Sequence, residues 1–153
     1  MTELYNHTVT LYIRVYEPHP PPGDQNTVWL RRVMPNALLK NAYVGRDGRA
    51  ATQKRLTLPI REGDTCRYRP PTWEEGVGFY ALPAQERGGY WTVSAGIAPG
   101  GGDLFFNGIG PDIDETFRET AFLSRYPDRA WKVRTVRDNS MAGEKVAHVV
   151  ATD

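Results

Sequence analysis

Alternation of apolar and polar residues predicts most of the regular structure in this chain. Residues 8–16 give the clearest case, because every odd position from 9 onward is aliphatic and the even positions are polar or aromatic. A period of two places one set of side chains on the core side of a β-strand. The opposite face carries Tyr12, Arg14 and Tyr16, and we expect it to be wet or to lie at an interface.

Shorter versions of the same pattern predict further strands, separated by turn residues. Pro35-Asn36 predicts a turn, and Asp47-Gly48 is typical of a hairpin. The pattern from residue 131 onward predicts two strands that follow a helix. The predicted strands are residues 27–34, 37–44 (for which a helical turn is the alternative), 51–60, 65–69, 79–82, 89–95, 103–109, 131–139 and 146–150.

One helix is predicted, over residues 113–125. Asp112 precedes it as an N-cap candidate, and Glu115 follows three residues later as in a capping box. Phe117 and Ala121 are spaced four residues apart and are expected to share the buried stripe.

Composition favours a turn-rich fold over a helical bundle, since the 153 residues include 15 Gly and 12 Pro. The length suits one core, so we predict a single domain over residues 1–153. Its fold class is mainly β with one short helix (α+β), built as an antiparallel β-barrel or sandwich. The Pro-rich residues 17–26 and the Gly-rich residues 96–103 are predicted loop insertions.

Charge is segregated along the chain although the net charge is only +1. Residues 31–69 contain ten Lys or Arg against three acids, whereas residues 71–128 contain nine acids against three Arg. Two solvated surfaces of opposite sign explain this pattern. The alternative, which the pattern favours less, is a basic and an acidic face that meet between neighbouring copies, as in a ring.

The residue types that usually carry catalysis are dispersed or have structural explanations. The three histidines lack metal-ligand spacing, the single Cys66 excludes an intramolecular disulfide, and Glu74-Glu75 lies in a Pro/Gly-rich stretch. We therefore predict no catalytic residues, no metal site and no cofactor. The opening residues lack a signal-peptide pattern and no apolar run is long enough for a membrane span, so we expect a cytosol-like compartment and no membrane partner.

A nucleic-acid-binding module of the OB type is the alternative. Tyr12, Arg14 and Tyr16 on one strand face could stack on bases, with the basic residues 31–69 beside them. The acidic half of the chain weighs against this reading.

The second half of the chain resembles a family of small structural proteins of tailed bacteriophages and prophages of Gram-positive bacteria. The resemblance lies in a Gly-Asp-apolar strand, an acidic helix, a strand ending in a V-x-D-N turn, and a terminal strand with a histidine. Similar features at the start of the chain are the Val9–Tyr12 strand and Arg31-Arg32-Val33. The residues of the second half are Gly102–Gly108, Asp114, Glu115, Phe117, Leu123, Tyr126, Trp131–Val133, Val136–Asn139 and Val146–Val150.

This resemblance implies a non-catalytic virion protein of the head–tail interface, of the head-closure, connector or tail-terminator type. It implies a homo-oligomeric ring that contacts neighbouring neck, portal-side or tail proteins and allows non-specific contact with DNA in the lumen. The protein would lie in the host cytoplasm during assembly and afterwards in the virion. The expected interface residues are Tyr12, Arg14, Tyr16, Arg31, Arg32, Arg55, Asp112, Asp114 and Glu115.

Overall fold

A computed structural model of the protein reveals a β-rich architecture. In the part of the chain that it describes there are nine strands and one helix. The described residues are 6–16, 27–46, 49–60, 66–68, 89–95, 102–114, 116–138 and 148–153. The elements are β1 (His7–Tyr16), β2 (Thr27–Arg46), β3 (Arg49–Pro59), β4 (Arg67–Tyr68), β5 (Tyr90–Trp91), β6 (Leu104–Asn107), α1 (Glu119–Arg125), β7 (Ala130–Lys132), β8 (Thr135–Asp138) and β9 (His148–Thr152).

Seven of these strands form one antiparallel sheet in the order β7-β6-β1-β2-β3-β9-β8, curled into a half-barrel. The predicted fold class, mainly β with one short helix, is confirmed. The remaining two strands, β4 and β5, pair in parallel as a separate small sheet.

The two edge strands of the large sheet are consecutive in sequence. β7 ends at Lys132 and β8 begins at Thr135, so only residues 133–134 separate the opposite edges. Three residue steps span at most about 11 Å, so the sheet must curl until the end of β7 comes near the start of β8. The Val133 N–H donates to the Asp103 carbonyl (2.8 Å) and the Arg134 N–H to the Thr152 carbonyl (2.7 Å), which ties this segment to the residue before β6 and to β9.

Strand β2 is longer than predicted because the chain does not turn at Pro35-Asn36. Its register with β1 runs from Met34↔Val9 to Ala37↔His7, so β2 has one extra residue there. Such a bulge leaves a residue outside the hydrogen-bonded ladder, and proline, which has no N–H, is tolerated at that point. The predicted turn is wrong, whereas the predicted strand over residues 37–44 is confirmed as the second half of β2.

The partner of that second half is β3, in a register that ends with Arg46 opposite Arg49. This spacing fits a two-residue hairpin loop. The predicted Asp47-Gly48 turn itself lies outside the described residues, as do most of the predicted insertions at 17–26 and 96–103.

The concave side of the sheet holds the main core. Val9, Leu11 and Ile13 have no exposed surface, as their alternation predicted, and Leu56 and Leu58 of β3 are equally buried. Trp91 and Val93 close the core beside β5, again as predicted, although β5 is shorter than the expected strand. Each such side chain stabilises the fold by roughly 1.5–3 kcal/mol through burial.

A second cluster lies on the convex side, beneath α1. Its buried members are Tyr12, Leu104, Phe106, Phe122 and Ala130. Residues 104–106 are therefore buried on both faces of β6, since Phe105 belongs to the concave core. Two layers of apolar packing meet at this strand.

The helix is shorter than predicted, because it begins at Glu119 and not near residue 113. The Asp114 carboxylate accepts hydrogen bonds from the Thr116 N–H (2.8 Å) and hydroxyl (2.6 Å), a local turn that competes with helix formation. Arg118 occupies the N-cap position with extended backbone and no side-chain cap. The expected stripe is also displaced, since Ala121 is exposed and Phe122 is buried.

Gly102 and Asp103 join three parts of the sheet just before β6. The buried Asp103 carboxyl accepts the Arg14 N–H through Oδ1 and the Ser94 N–H through Oδ2, both at 2.8 Å. A Cβ on Gly102 would collide with the Val133 carbonyl, so only glycine allows the 133–134 segment to approach this closely.

Candidate interaction surfaces

Residues 108–125 cover the outer face of β1 and β2, and we call them the cover segment. They bury or contact several of the predicted interface residues. Tyr12 lies entirely beneath it, stacked on Phe117 at 5.4 Å and tilted against Phe122 at 4.9 Å between ring centroids. Its hydroxyl donates to the Pro111 carbonyl at 2.7 Å. The expectation that Tyr12 is wet or at an interface is wrong, since the aromatic residues of the cover segment bury it.

Burial raises the pKa of the Tyr12 hydroxyl, against the opposing effect of the nearby Arg31. The hydroxyl therefore stays protonated and keeps its donor role toward Pro111 through the physiological range.

Arg14 lies beside Tyr12 at the margin of the cover segment and is partly buried. Its guanidinium lies over the Trp29 ring, 5.5 Å from the centroid, and 3.9 Å from the Glu119 carboxylate. Lys132 contacts the same carboxylate at 2.5 Å. This three-membered charge group fixes α1 to β1 and β7. The side chain of Tyr16 lies outside the described residues.

Arg31 and Arg32 both serve the chain's own structure. Arg31 donates to the Gly110 carbonyl through Nε (3.2 Å) and Nη2 (2.6 Å), and its third nitrogen lies 3.3 Å from Asp112. Arg32 points to the concave side, where its Nε donates to the Tyr90 carbonyl at 3.2 Å. Arg31 therefore ties the cover segment to β2, and Arg32 ties β2 to the small sheet.

Of the predicted acidic interface residues, Asp112 and Asp114 are exposed, and the side chain of Glu115 is outside the described residues. Asp112 pairs with Arg31 and does not cap α1, which starts seven residues later. The two hydrogen bonds from Thr116 lower the pKa of Asp114. Both carboxylates remain available to a neighbour at the edge of the cover segment.

The first part of the cover segment presents an isoleucine to solvent. The Thr10 hydroxyl donates to the Gly108 carbonyl and accepts from the Gly110 N–H, both at 2.8 Å, so the residue between them is held outward. That residue, Ile109, is 70% exposed. Val33, which pairs with Thr10 across the β1–β2 ladder, is 38% exposed. We call Ile109 and Val33 the apolar patch.

The outer face of the second half of the sheet carries a different surface. On the second half of the sheet, Leu56, Leu58, Val149 and Ala151 face the core, so their alternating neighbours face outward. Arg55, a predicted interface residue, lies on this outer face and is exposed. The register places Lys40 directly beside it, and the face continues across β9 to Arg137 of β8. We call Lys40, Arg55 and Arg137 the basic face.

Comparison of the chain with protein-family models, with curated proteins and with solved structures finds no match. Within the described residues, no three His, Cys, Asp or Glu side chains come close enough together to hold a metal ion. No helix in that part of the chain is long and apolar enough to cross a membrane. The surfaces above are therefore the features from which a function can be argued.

Sequence reasoning missed both the apolar patch and two members of the basic face. Ile109 was assigned to a strand, whereas the Gly108 and Gly110 that flank it place it in a loop. Lys40 and Arg137 are nearly a hundred residues apart in sequence, and only the strand order β2-β3-β9-β8 brings them onto one face.

Proposed function

We propose that this protein is a non-catalytic structural subunit of the head–tail joining region of tailed bacteriophages, which acts by assembling into a ring. The observation that carries the proposal is the apolar patch, the exposed side chains of Ile109 and Val33, of which Ile109 is held outward by the bonds of Thr10 to Gly108 and Gly110. A neighbouring subunit that covers these side chains gains stability from burying their apolar surface.

Two further observations support a role for the outer surface. The close ionisable groups of the described residues are engaged in structural ties, among them Arg14 with Glu119 and Arg31 with Asp112. The stretches that carry the phage resemblance form β6 to β9, which bring the two edges of the sheet together. A subunit of this kind contacts its neighbours through the outer surface of a rigid sheet and needs no reactive centre.

The proposed ring contact is made by apolar side chains, whereas the sequence predicted that a basic face and an acidic face would meet. Reversal of Arg31 or Arg32 would break bonds to Gly110 and Tyr90 inside the chain, so neither tests assembly cleanly. Arg55, Asp112 and Asp114 are exposed, but the ring contact proposed here rests on Ile109 and Val33.

Replacement of Ile109 by aspartate is expected to abolish ring assembly while leaving the fold intact, because the side chain is exposed in the monomer. Light scattering should give a multiple of the chain mass for the wild type, with closed rings in negative-stain images, and the monomer mass for the variant. Arg67→Gln, an equal change in charge at an exposed residue of the small sheet, is the matched control. A wild type that stays monomeric at every concentration tested would contradict self-assembly, and a ring unaffected by Ile109→Asp would contradict this contact.

A further inference from the structure

The basic face carries three cations on the outer side of the second half of the sheet. The outward residues in the central two rows of this face are Lys40, Arg55, Thr152 and Thr135 in one row and Leu38, Thr57, Val150 and Arg137 in the next. Among these described residues there is no carboxylate, and no described residue forms an ion pair with the three cations. The charge of the face is therefore unbalanced within this part of the chain.

Lys40 and Arg55 are opposite each other on adjacent antiparallel strands. Like charges in this arrangement destabilise a sheet by about 0.2–1 kcal/mol. Elsewhere on the same sheet the cations have partners, as Arg31 does in Asp112 and Lys132 does in Glu119. A like-charge pair that lacks such a partner is the pattern expected where the partner is another molecule.

The shape of the face indicates which kind of anion fits. Neighbouring strands are about 4.8 Å apart, so the three cations extend over roughly 14 Å from β2 to β8. Beside Arg55 and Arg137 lie the hydroxyls of Thr152 and Thr135, which contact each other, whereas Thr57 is buried. Cations and hydroxyls spread over that length match several successive phosphates of a nucleic-acid strand.

The same residues argue against recognition of bases. The described outward side chains of the two rows include no aromatic ring, so there is no stacking platform for exposed bases. Tyr12, on which such stacking would have depended, is buried under the cover segment.

We propose that the basic face, Lys40, Arg55 and Arg137 with Thr152 and Thr135 beside them, binds the phosphate backbone of nucleic acid without regard to sequence. The site lies on the second half of the sheet, away from the apolar patch. It therefore does not depend on ring assembly, and the two can fail separately.

Binding should be weak and steeply dependent on salt, because each phosphate contact releases counterions. For three contacts on duplex DNA the slope of log K against log salt is about −0.9 × 3, or about −2.7 per bound chain, which is roughly a 40-fold loss of affinity between about 50 and 200 mM salt. Fluorescence anisotropy with a labelled mixed-sequence duplex of about 30 base pairs measures this slope directly.

The double variant Lys40→Gln/Arg55→Gln should lower the slope to about −0.9, so that the same change of salt costs only about 3- to 4-fold in affinity. Its thermal unfolding should be unchanged or slightly improved, since a like-charge pair is removed. The control Arg67→Gln/Arg125→Gln makes the same change in net charge at exposed residues elsewhere and should keep the wild-type slope.

Three results would overturn the assignment. The first is absence of binding by the wild type at low salt. The second is an equal loss in the control variant, which would reflect net charge alone. The third is equal binding of polyglutamate, which would assign the face to an acidic protein surface. The Ile109→Asp variant should keep the full slope per chain, which separates this test from that of assembly.

Discussion

Replacement of Tyr12 by alanine is expected to destabilise the protein by about 3–5 kcal/mol, the usual cost of deleting a large buried aromatic side chain. The ring contacts Phe117 and Phe122, and its loss opens a cavity between the sheet and the cover segment. Urea unfolding followed by fluorescence would measure the loss. The cost should appear as a lower denaturation midpoint with little change in the slope.

Tyr12→Phe is the matched control, since it keeps the ring and removes only the hydroxyl. It leaves the Pro111 carbonyl without the 2.7 Å hydrogen bond, which should cost about 1–2 kcal/mol. The difference between the two variants separates aromatic packing from the polar tie. A Tyr12→Ala loss no larger than that of Tyr12→Phe would mean that the cover segment does not need this side chain.

Asp103→Asn is expected to weaken the protein most at acid pH and least at neutral pH. Burial raises the pKa of Asp103 to about 7, against the opposing effects of the Arg14 and Ser94 N–H groups and the Arg14 charge. An unfolded aspartate has a pKa of about 3.9, so the folded state holds the extra proton between these values. The stabilisation from the protonated form is complete below about pH 4 and is lost as pH rises through about 7.

The magnitude follows from the gap of about 3 pKa units, which corresponds to about 4 kcal/mol. Asparagine cannot titrate and offers one acceptor oxygen to two N–H donors, so one of them loses its bond at a cost of about 1–3 kcal/mol. The unfolding free energy of each protein is measured at pH 5, 6, 7 and 8, and the value for Asp103→Asn is subtracted from the wild-type value at each pH. This subtraction cancels the contributions of the other titratable groups. The stability advantage of the wild type should shrink steadily across this series.

The exposed Asp128 provides the control, since Asp128→Asn makes the same chemical change at the surface and should leave the stability close to that of the wild type. A wild-type advantage over Asp103→Asn that is constant from pH 5 to 8 would show that the carboxyl stays ionised throughout. In that case its two N–H donors would outweigh the effect of burial.

The sequence predicts those parts of the fold in which one physical effect dominates. In β1, alternation alone places Val9, Leu11 and Ile13 inside, because one side of the strand faces a dry core. The same reasoning failed for Tyr12, since a strand buried on both faces still alternates between aliphatic and aromatic residues. Nothing local to residues 8–16 indicates that a segment a hundred residues later will cover them.

Turn signals failed where tertiary pairing was stronger. Pro35-Asn36 is a good turn sequence, yet β2 continues through it because β1 holds one side of the strand before the bulge and β3 continues the pairing beyond it. The helix start failed for the opposite reason. Asp112 was expected to cap a helix but is paired with Arg31, eighty residues away, and that ion pair cannot be read from local spacing.

The candidate surfaces depend even more on strand order than the fold does. The bulk charge of residues 31–69 indicated a basic surface, but it grouped Arg31 and Arg32, which bind inside the chain, with Arg55, which does not. Only the pairing of β2 with β3 identifies Lys40 as the neighbour of Arg55.

The position of β9 has a consequence for how the protein is made. This strand begins at His148, 89 residues after β3 ends at Pro59, yet it lies between β3 and β8 in the sheet. Until β9 has been synthesised, β3 has no partner on that side, and the hydrogen bond from the Arg134 N–H to the Thr152 carbonyl cannot form. The sheet is therefore completed only after β9 has been made, a non-local topology that slows folding and exposes nascent chains to aggregation.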